Sequence, residues 1–408
     1  MSLLYFSTGV TKKQVTPALH KFFYQNVMND EQPHLKRCMF FVLVLSVVVI
    51  ILFFGLKSER WHVDNNIQWV PGSNTLKISN PGMAYVDDAH TLNSRESTGN
   101  FTIHVGLTPN DSQRIGFRPI LMLHGGDDHL QLALWQWKSS VIVMNGDDYN
   151  NSRKWPRLTA VDALKDGESS LVTVTVGDYG TRLLVNGLVA QELGDWRLTI
   201  PESVGKLRLI LGNSVYGKHG WDGDFHGVAF YRRDFSIEAV GSYYNTWLLE
   251  KQFPSRPDRD LQLLFTLGEG EGQLIKDLSG HDQPLLLPST PVQFKRKFLS
   301  FPWHGFNANR SLFIDVTINL IGFMPLGIVL YCWMWQWPSL PGKYLIHSIV
   351  LFSFALSLII EILQGWLPDR SSSLLDLCLN TAGALLGALL FKKVIKGDRP
   401  LKKGSVPF

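Results

Sequence analysis

The sequence predicts a mixed, multi-domain protein in which an all-β sandwich of the jelly-roll kind is joined to four membrane-spanning α-helices. Three observations predict it. Four apolar runs have the length that a bilayer of about 30 Å requires. The segment between the first and second run carries instead short β-branched stretches broken by Gly, Asp and Asn. Lys and Arg gather before the first run and after the last.

With 408 residues the chain has room for two or three domains. A net charge of +4 is too mild to argue for a nucleic-acid partner. The 45% hydrophobic content is ordinary for a globular protein, and this average conceals a sharp division along the chain.

Residues 1–37 read as a cytoplasmic N-terminal segment. Residues 38–56 form the first span, with "MFFVLVLSVVVIILFFGL" uncharged throughout. The following "FGLKSERW" offers no small-x-small cleavage site, which predicts an uncleaved anchor rather than a signal peptide. Residues 57–300 are the sandwich, and residues 301–392 hold three more spans near 312–335, 344–363 and 374–391. Their connections "WQWPSLPGK" and "GWLPDRSSS" carry the Pro and Ser that stop helices. Residues 393–408 are a basic cytoplasmic tail. Lys36 and Arg37 before the first span, and Lys392, Lys393 and Lys396 after the last, predict that both termini are cytoplasmic and the sandwich external. Lys295–Lys297, "KRK", falls on the external side of this topology and breaks its charge rule.

Within 57–300, "LVTVTV", "TRLLVNG", "LRLILG" and "GVAFY" predict strands, with little sustained helical periodicity. "SSLVTVTVGDYGTRLLVNGLVAQE" and "GKLRLILGNSVYGKHGWDGDFHGVAFYRRDFSIEAV" resemble a concanavalin A-like domain of the laminin-G type, through the Asn186-Gly187 and Gly212-Asn213-Ser214 turns and then Trp221, Gly223 and Gly227. "LQLLFTLGEGEGQLIKDLSGHDQPLLL" commonly opens such domains and here comes last, which suggests a circular permutation. Sandwiches of this resemblance often bind glycans, so Trp135, Trp137, Trp155 and Trp221 are candidate sugar platforms against the commoner role of Trp in a core. The acidic turns at Gly125–Asp128 and Asn145–Asp148 are the weaker candidates for calcium; no other cofactor and no metal centre is expected. Cys38, Cys332 and Cys378 lie outside the sandwich, so no disulfide frames it.

The helical runs carry polar residues at regular offsets. Asp376, Asn380, Gly383 and Gly387 fall on one stripe of the last helix, joining an acid and an amide to a G-x-x-x-G packing surface. Ser357, Glu361 and Gln364 form a stripe on the preceding helix, and Asp315, Asn319 and Gly322 repeat the theme on the second. Charge in hydrocarbon is costly, so such residues usually face a bundle interior and act there. In the deduced topology Arg310 and Arg370 meet the outer surface, with both Asp–Asn pairs a turn below. Glu361 and Gln364 rise to the same level, which predicts one polar cluster in the outer leaflet.

"FIDVTINLIGFMPLGIVL" with "SLIIEILQGWLPDRSSSLLDLCLNTAGALLG" closely resembles the VanZ-like family, over residues 298–392 and with the first span as the family's first helix. The matching residues are Asp315, Asn319, Phe323, Pro325, Gly327, Glu361, Gln364, Pro368, Arg370, Asp376, Asn380, Gly383 and Gly387. The resemblance implies a multi-pass protein of the bacterial cytoplasmic membrane acting at the cell envelope, in a family some of whose members are linked to teicoplanin-type glycopeptide resistance. Three readings of the cluster stay open. It is packing glue; or it binds a polar envelope ligand such as a lipid-linked glycan or its phosphate, with Arg310 and Arg370 as phosphate forks; or it is the site of an enzyme on a lipid-linked envelope precursor, with Glu361 as general base. The expected partners are membrane lipids, an envelope glycan or lipid-linked precursor, and a protein partner.

Overall fold

The computed structural model describes residues 33–58, 63–93, 99–147, 156–203, 205–250, 252–254, 258–300, 310–336, 342–367 and 370–396. The chain divides into two compact units. One comprises Met1–Lys57, Ala308–Leu363 and Ser373–Phe408, the other Ser58–Asn307 and Gln364–Ser372.

The second unit is a sandwich of two antiparallel eight-stranded sheets. Numbered along the chain, the first sheet runs β1 (Ile67–Trp69), β2 (Leu76–Ile78), β13 (Gly223–Tyr231), β4 (Phe101–Pro109), β9 (Ser170–Gly177), β10 (Gly180–Val185) and β11 (Leu188–Leu193), with β14 (Leu261–Phe265) paired on β13. The second runs β15 (Leu274–Ile275), β16 (Leu285–Leu286), β3 (Ala84–Val86), β12 (Arg208–Leu211), β5 (Arg118–His124), β6 (Leu132–Trp137), β7 (Ser140–Asn145) and β8 (Arg157–Ala160). The β10–β11 hairpin closes on Asn186 and Gly187, both at positive φ (53° and 79°), the pairing that a two-residue turn matched to strand twist demands.

β2 pairs with the first half of β13 and β14 with its second half, along one edge. β15 and β16 reach the second sheet through β3. The late segment "LQLLFTL…PLLL" therefore supplies strands to both sheets, and β14 is buried along its whole length.

The core lies between the sheets. β6 shows how it is built: Leu132 and Leu134 point inward, while Ala133 and Trp135 join a second cluster with Met122, Ile142, Met144 and Ile210 on the outer face of the same sheet, against Val292 and Phe294. Both faces are covered, so β5 and β6 read as continuous apolar runs rather than alternating ones.

A helix inside the sandwich segment departs from the all-β expectation. It spans Ile237–Glu250, the second of the five α-helices among the described residues and hence α2. Ser236 caps it, accepting a hydrogen bond from Ala239 N–H at 3.2 Å. Val240, Tyr243 and Trp247, at helical spacing, close over Leu171, Leu184, Ala229, Leu261 and Leu264 on the outer face of the first sheet.

The other unit holds four helices long and apolar enough to cross a membrane. They are α1 (Pro33–Leu56), α3 (Arg310–Trp335), α4 (Gly342–Gln364) and α5 (Leu374–Lys396). At one end Phe41 of α1 packs at a tilt against Trp333 of α3, ring centres 5.8 Å apart, and Arg37 donates to the Gln336 carbonyl at 3.0 Å. At the other end Gly55 of α1 meets Ile360 of α4. Hence α1 and α4 run one way and α3 the other.

Candidate functional site

Glycines set the geometry of the site. A Cβ on Gly383 of α5 would lie 2.1 Å from the Leu320 carbonyl oxygen of α3, and one on Gly387 would lie 2.1 Å from that of Met324. In return a Cβ on Gly327 would lie 1.8 Å from the Ala384 oxygen. Backbone meets backbone here, which only small residues permit. One turn along α3 matches one turn along α5 in the same direction, so the two helices are parallel. Gly322, which the sequence stripe placed beside Asp315 and Asn319, faces open space, and Gly327 makes the contact instead.

The parallel register puts Asp315 level with Asp376 and Asn319 level with Asn380. Asp315 and Asn319 both lie within the electrostatic reach of Asp376. Asn380, almost fully buried, donates through Nδ2 to Ser357 Oγ of α4 at 3.0 Å. Among the described residues its buried Oδ1 has no hydrogen-bond partner, nor has Ser353 Oγ one turn from Ser357. A buried acceptor left unfilled costs about 1–3 kcal/mol.

Glu361 is 1% exposed, and its Oε2 accepts the backbone N–H of Ser373 at 2.7 Å. Ser373 directly precedes α5, and its Oγ accepts from Asp376 N–H at 3.4 Å. The carboxylate of Glu361 therefore sits at the positive end of the α5 dipole, where a buried negative charge is stabilised. Sequence reasoning did not single out Ser373. The signal was present as Ser373-x-x-Asp376, the capping pattern that opens a helix.

The structure thus brings Asp315, Asn319, Ser357, Glu361, Asp376 and Asn380 to one end of the four-helix unit. Gln364 and Arg370 fall in the stretch that groups with the sandwich unit, although the sequence boundary assigned that connection to the helical portion. Arg310 opens α3, and its side chain lies outside the described residues.

In the sandwich, two of the proposed sugar platforms are corrected by burial. Trp135 and Trp221 are each 0% exposed: Trp135 packs in the cluster outside the second sheet, and Trp221 lies in the core with Nε1 donating to Gln136 Oε1 at 2.5 Å. Neither ring has a face to offer a ligand. Trp137 is half-buried against Phe117, and Trp155 lies outside the described residues.

Of the acidic turns, Asp148 also lies outside the described residues. Asp128 has its oxygens taken by His124 Nε2 at 3.1 Å, the Tyr216 hydroxyl, and Lys295 Nζ at 3.1 Å. Burial opposes ionisation of Asp128, but those three hydrogen bonds and the Lys295 charge outweigh it and hold the carboxyl well below its usual range. Among the described residues no three His, Cys, Asp or Glu side chains converge as metal ligands. A concave pocket of about 400 Å³ does open on the sandwich, lined by Gly99, Leu130, Arg197, Thr199 and Glu202 among others. Arg197 reaches Asn100 and Asp178 at its rim.

Residues 262–396 match the VanZ/LLP1 family model. The match begins within β14, upstream of the residue 298 at which the sequence resemblance starts, and so includes the sandwich's last strands. No curated protein matches the sequence. Among solved structures, the sandwich is similar to a candidate carbohydrate-binding protein from Bacteroides ovatus ATCC 8483, at 15% identity and TM-score 0.37, over 53% of this chain and 60% of that one. It is also similar to the CBM40 of a Ruminococcus gnavus IT-sialidase bound to alpha2,3 sialyllactose, at 16% identity and TM-score 0.30, over 36% and 83%. A third is the binding domain of botulinum neurotoxin DC in complex with rat synaptotagmin II, at 12% identity and TM-score 0.34, over 45% and 46%. The chain spans about half the length of the neurotoxin domains it matches. At these identities the likeness is one of sandwich fold.

Proposed function

We propose that this chain, which carries a VanZ/LLP1 domain at residues 262–396 beside a carbohydrate-binding-like sandwich, is a cell-envelope protein that holds a polar ligand at the polar end of its membrane helices. The sandwich faces outward in this reading, as the Lys and Arg flanks of the spans suggest, and recognises a glycan or partner. The concave pocket at Arg197 and Glu202 replaces the buried tryptophans as its candidate site. Both termini are then cytoplasmic and the polar end lies in the outer leaflet.

One observation carries the reading. Six polar side chains from α3, α4 and α5 gather at one end of an otherwise apolar unit, and one of them, Asn380, keeps a buried acceptor unfilled among the described residues. The described members are mainly acceptors: two aspartates, the Asn380 carbonyl and the Glu361 carboxylate. Acceptors take donors, so the hydroxyl groups of a lipid-linked glycan fit them better than its bare phosphate does. A phosphate-holding role for Arg310 and Arg370 adds to this reading without being needed by it.

Glue is the competing role, favoured by the Asn380–Ser357 and Glu361–Ser373 hydrogen bonds. Glu361→Gln and Asp376→Asn separate the two, because each keeps size and removes charge. The functional reading expects normal membrane abundance and melting with loss of the envelope-drug phenotype. If abundance and phenotype fall together in both variants, the cluster is glue.

A further inference from the structure

The "KRK" run that breaks the charge rule has a defined place in the sandwich unit. Lys295 spends its charge on Asp128. Arg296 and Lys297 are exposed. The Arg296 guanidinium lies 4.0 Å over the ring of Trp366, and its Nε donates to Gln293 Oε1 at 3.3 Å. Among the described residues these partners are neutral, so the positive charge of Arg296 is left for an anion. Lys297 Nζ lies 4.4 Å over the Tyr216 ring, and Lys218 Nζ donates to the backbone carbonyls of Leu367 and Arg370. Leu299 N–H and Ser300 N–H, each at 3.0 Å, fasten Ser372 to the same strip. Two exposed aromatics complete the surface: Phe298 at 43% and Trp366 at 57%, with ring centres 6.4 Å apart.

Chain connectivity bounds how far this surface reaches from the ends of the spans. Trp366 lies two residues past Gln364, the last residue of the α4 span, so it sits within about 7 Å of that span's end. Arg370 lies four residues before Leu374, the start of the α5 span, within about 14 Å of its end. A headgroup layer is roughly 5–8 Å thick on each side. Aromatic rings with a polar edge, and Arg and Lys beside them, are the residues that settle at that depth.

We propose that Lys218, Arg296, Lys297 and Arg370, with Trp366 and Phe298, form a binding site for the phosphate headgroup of an anionic membrane lipid. Arg296, stacked and held by Gln293, offers its planar fork to phosphate, and the two rings enter the glycerol level beneath. The proposal requires only that α4 and α5 cross the membrane. It stands or falls separately from the polar ligand at Glu361 and from the side on which the sandwich lies.

The test uses the full chain in nanodiscs of phosphatidylcholine with and without phosphatidylglycerol. After extraction into neutral detergent, the phosphatidylglycerol retained per protein is measured by lipid mass spectrometry. The wild type should retain phosphatidylglycerol over phosphatidylcholine. Arg296→Gln with Lys297→Gln should lose that preference by roughly 30-fold, given what each basic residue near an anionic surface contributes. Lys297→Gln alone, at an exposed position, should lose part of it and guards against misfolding of the double variant. The charge-matched control Lys165→Gln with Lys276→Gln, elsewhere on the sandwich, should keep it. Unchanged retention in the double variant, or an equal loss in the control, overturns the proposal. So does complete displacement by free glycerol phosphate, which would make the ligand a soluble phosphate and not a lipid.

Discussion

Gly383→Ala tests the helix geometry on which the polar site depends. The added Cβ would stand 2.1 Å from the Leu320 carbonyl oxygen and 2.9 Å from its carbon. A methyl group needs at least about 3 Å from such an atom, so α3 must retreat by roughly 1 Å. Backbone cannot swing aside as a side chain does. Overpacking of this kind costs about 1–3 kcal/mol. That is a large part of a protein's net stability. The assay is unfolding of the purified full chain in detergent, followed by circular dichroism at the helical minimum. Gly322→Ala on α3 is the control, since a Cβ there meets nothing within 4 Å. Its melting should match or slightly exceed that of the wild type, because Ala is the better helix former. If Gly383→Ala also melts with the wild type, the close parallel packing of α3 and α5 is wrong, and with it the common level of the two Asp–Asn pairs.

Further expectations concern the sandwich. Trp221→Phe should destabilise by about 1–3 kcal/mol, because Gln136 then keeps a buried acceptor without its donor, yet should leave glycan binding untouched; lost binding in a stable variant would return Trp221 to the ligand site. His104 is fully buried against Tyr243, and desolvation lowers its pKa to about 3. The unfolded chain therefore takes up a proton below about pH 6.5 that the folded chain refuses, and stability falls by about 1.4 kcal/mol per pH unit from there toward pH 3. His219, lowered to about 4 by burial and then by Lys297 and Lys218, adds a loss of the same sign. His104→Asn should flatten the acid limb in a pH series of melting curves, and an unchanged slope would refute the assignment. A fragment of residues 60–290 should be soluble and β-rich, whereas 60–240 should aggregate for want of β14 beside β13. A stable 60–240 fragment would show that the late strands are dispensable.

Features governed by local chemistry were legible in the sequence, and those governed by packing were less so. The four spans, the sandwich class and the Asn186-Gly187 turn each follow from a short window of residues. The helix Ile237–Glu250 did not announce itself, because only three buried positions anchor one face while Ile237, Leu248 and Leu249 are exposed and blur its apolar stripe. Trp135 and Trp221 illustrate the limit on sites: aromatic identity suggests a platform, but only the covering of both sheet faces decides whether a ring sees solvent. In the membrane unit the 0, 4, 7 and 11 offsets put Asp376, Asn380, Gly383 and Gly387 on one stripe, and of these Gly383 and Gly387 meet the backbone of α3. The same rule failed for Gly322, since the direction from which α3 meets α5 is set by where backbone can approach backbone, and Gly327 provides that place. The pairing of Glu361 with Ser373 joins two helices, so no single-helix pattern contains it.

The most direct test of the account is sidedness. Its central claim puts the sandwich outside the cell and the polar end of the helices in the outer leaflet. In a cysteine-free background, Leu188→Cys on the exposed strand β11 and Lys393→Cys near the end of α5 would be treated with a membrane-impermeant maleimide on intact cells and again after permeabilisation. The account predicts that Leu188→Cys labels at once and Lys393→Cys only after permeabilisation. The reverse pattern would place the sandwich in the cytoplasm and the Asp315–Asp376 level in the inner leaflet, contradicting the proposed envelope site.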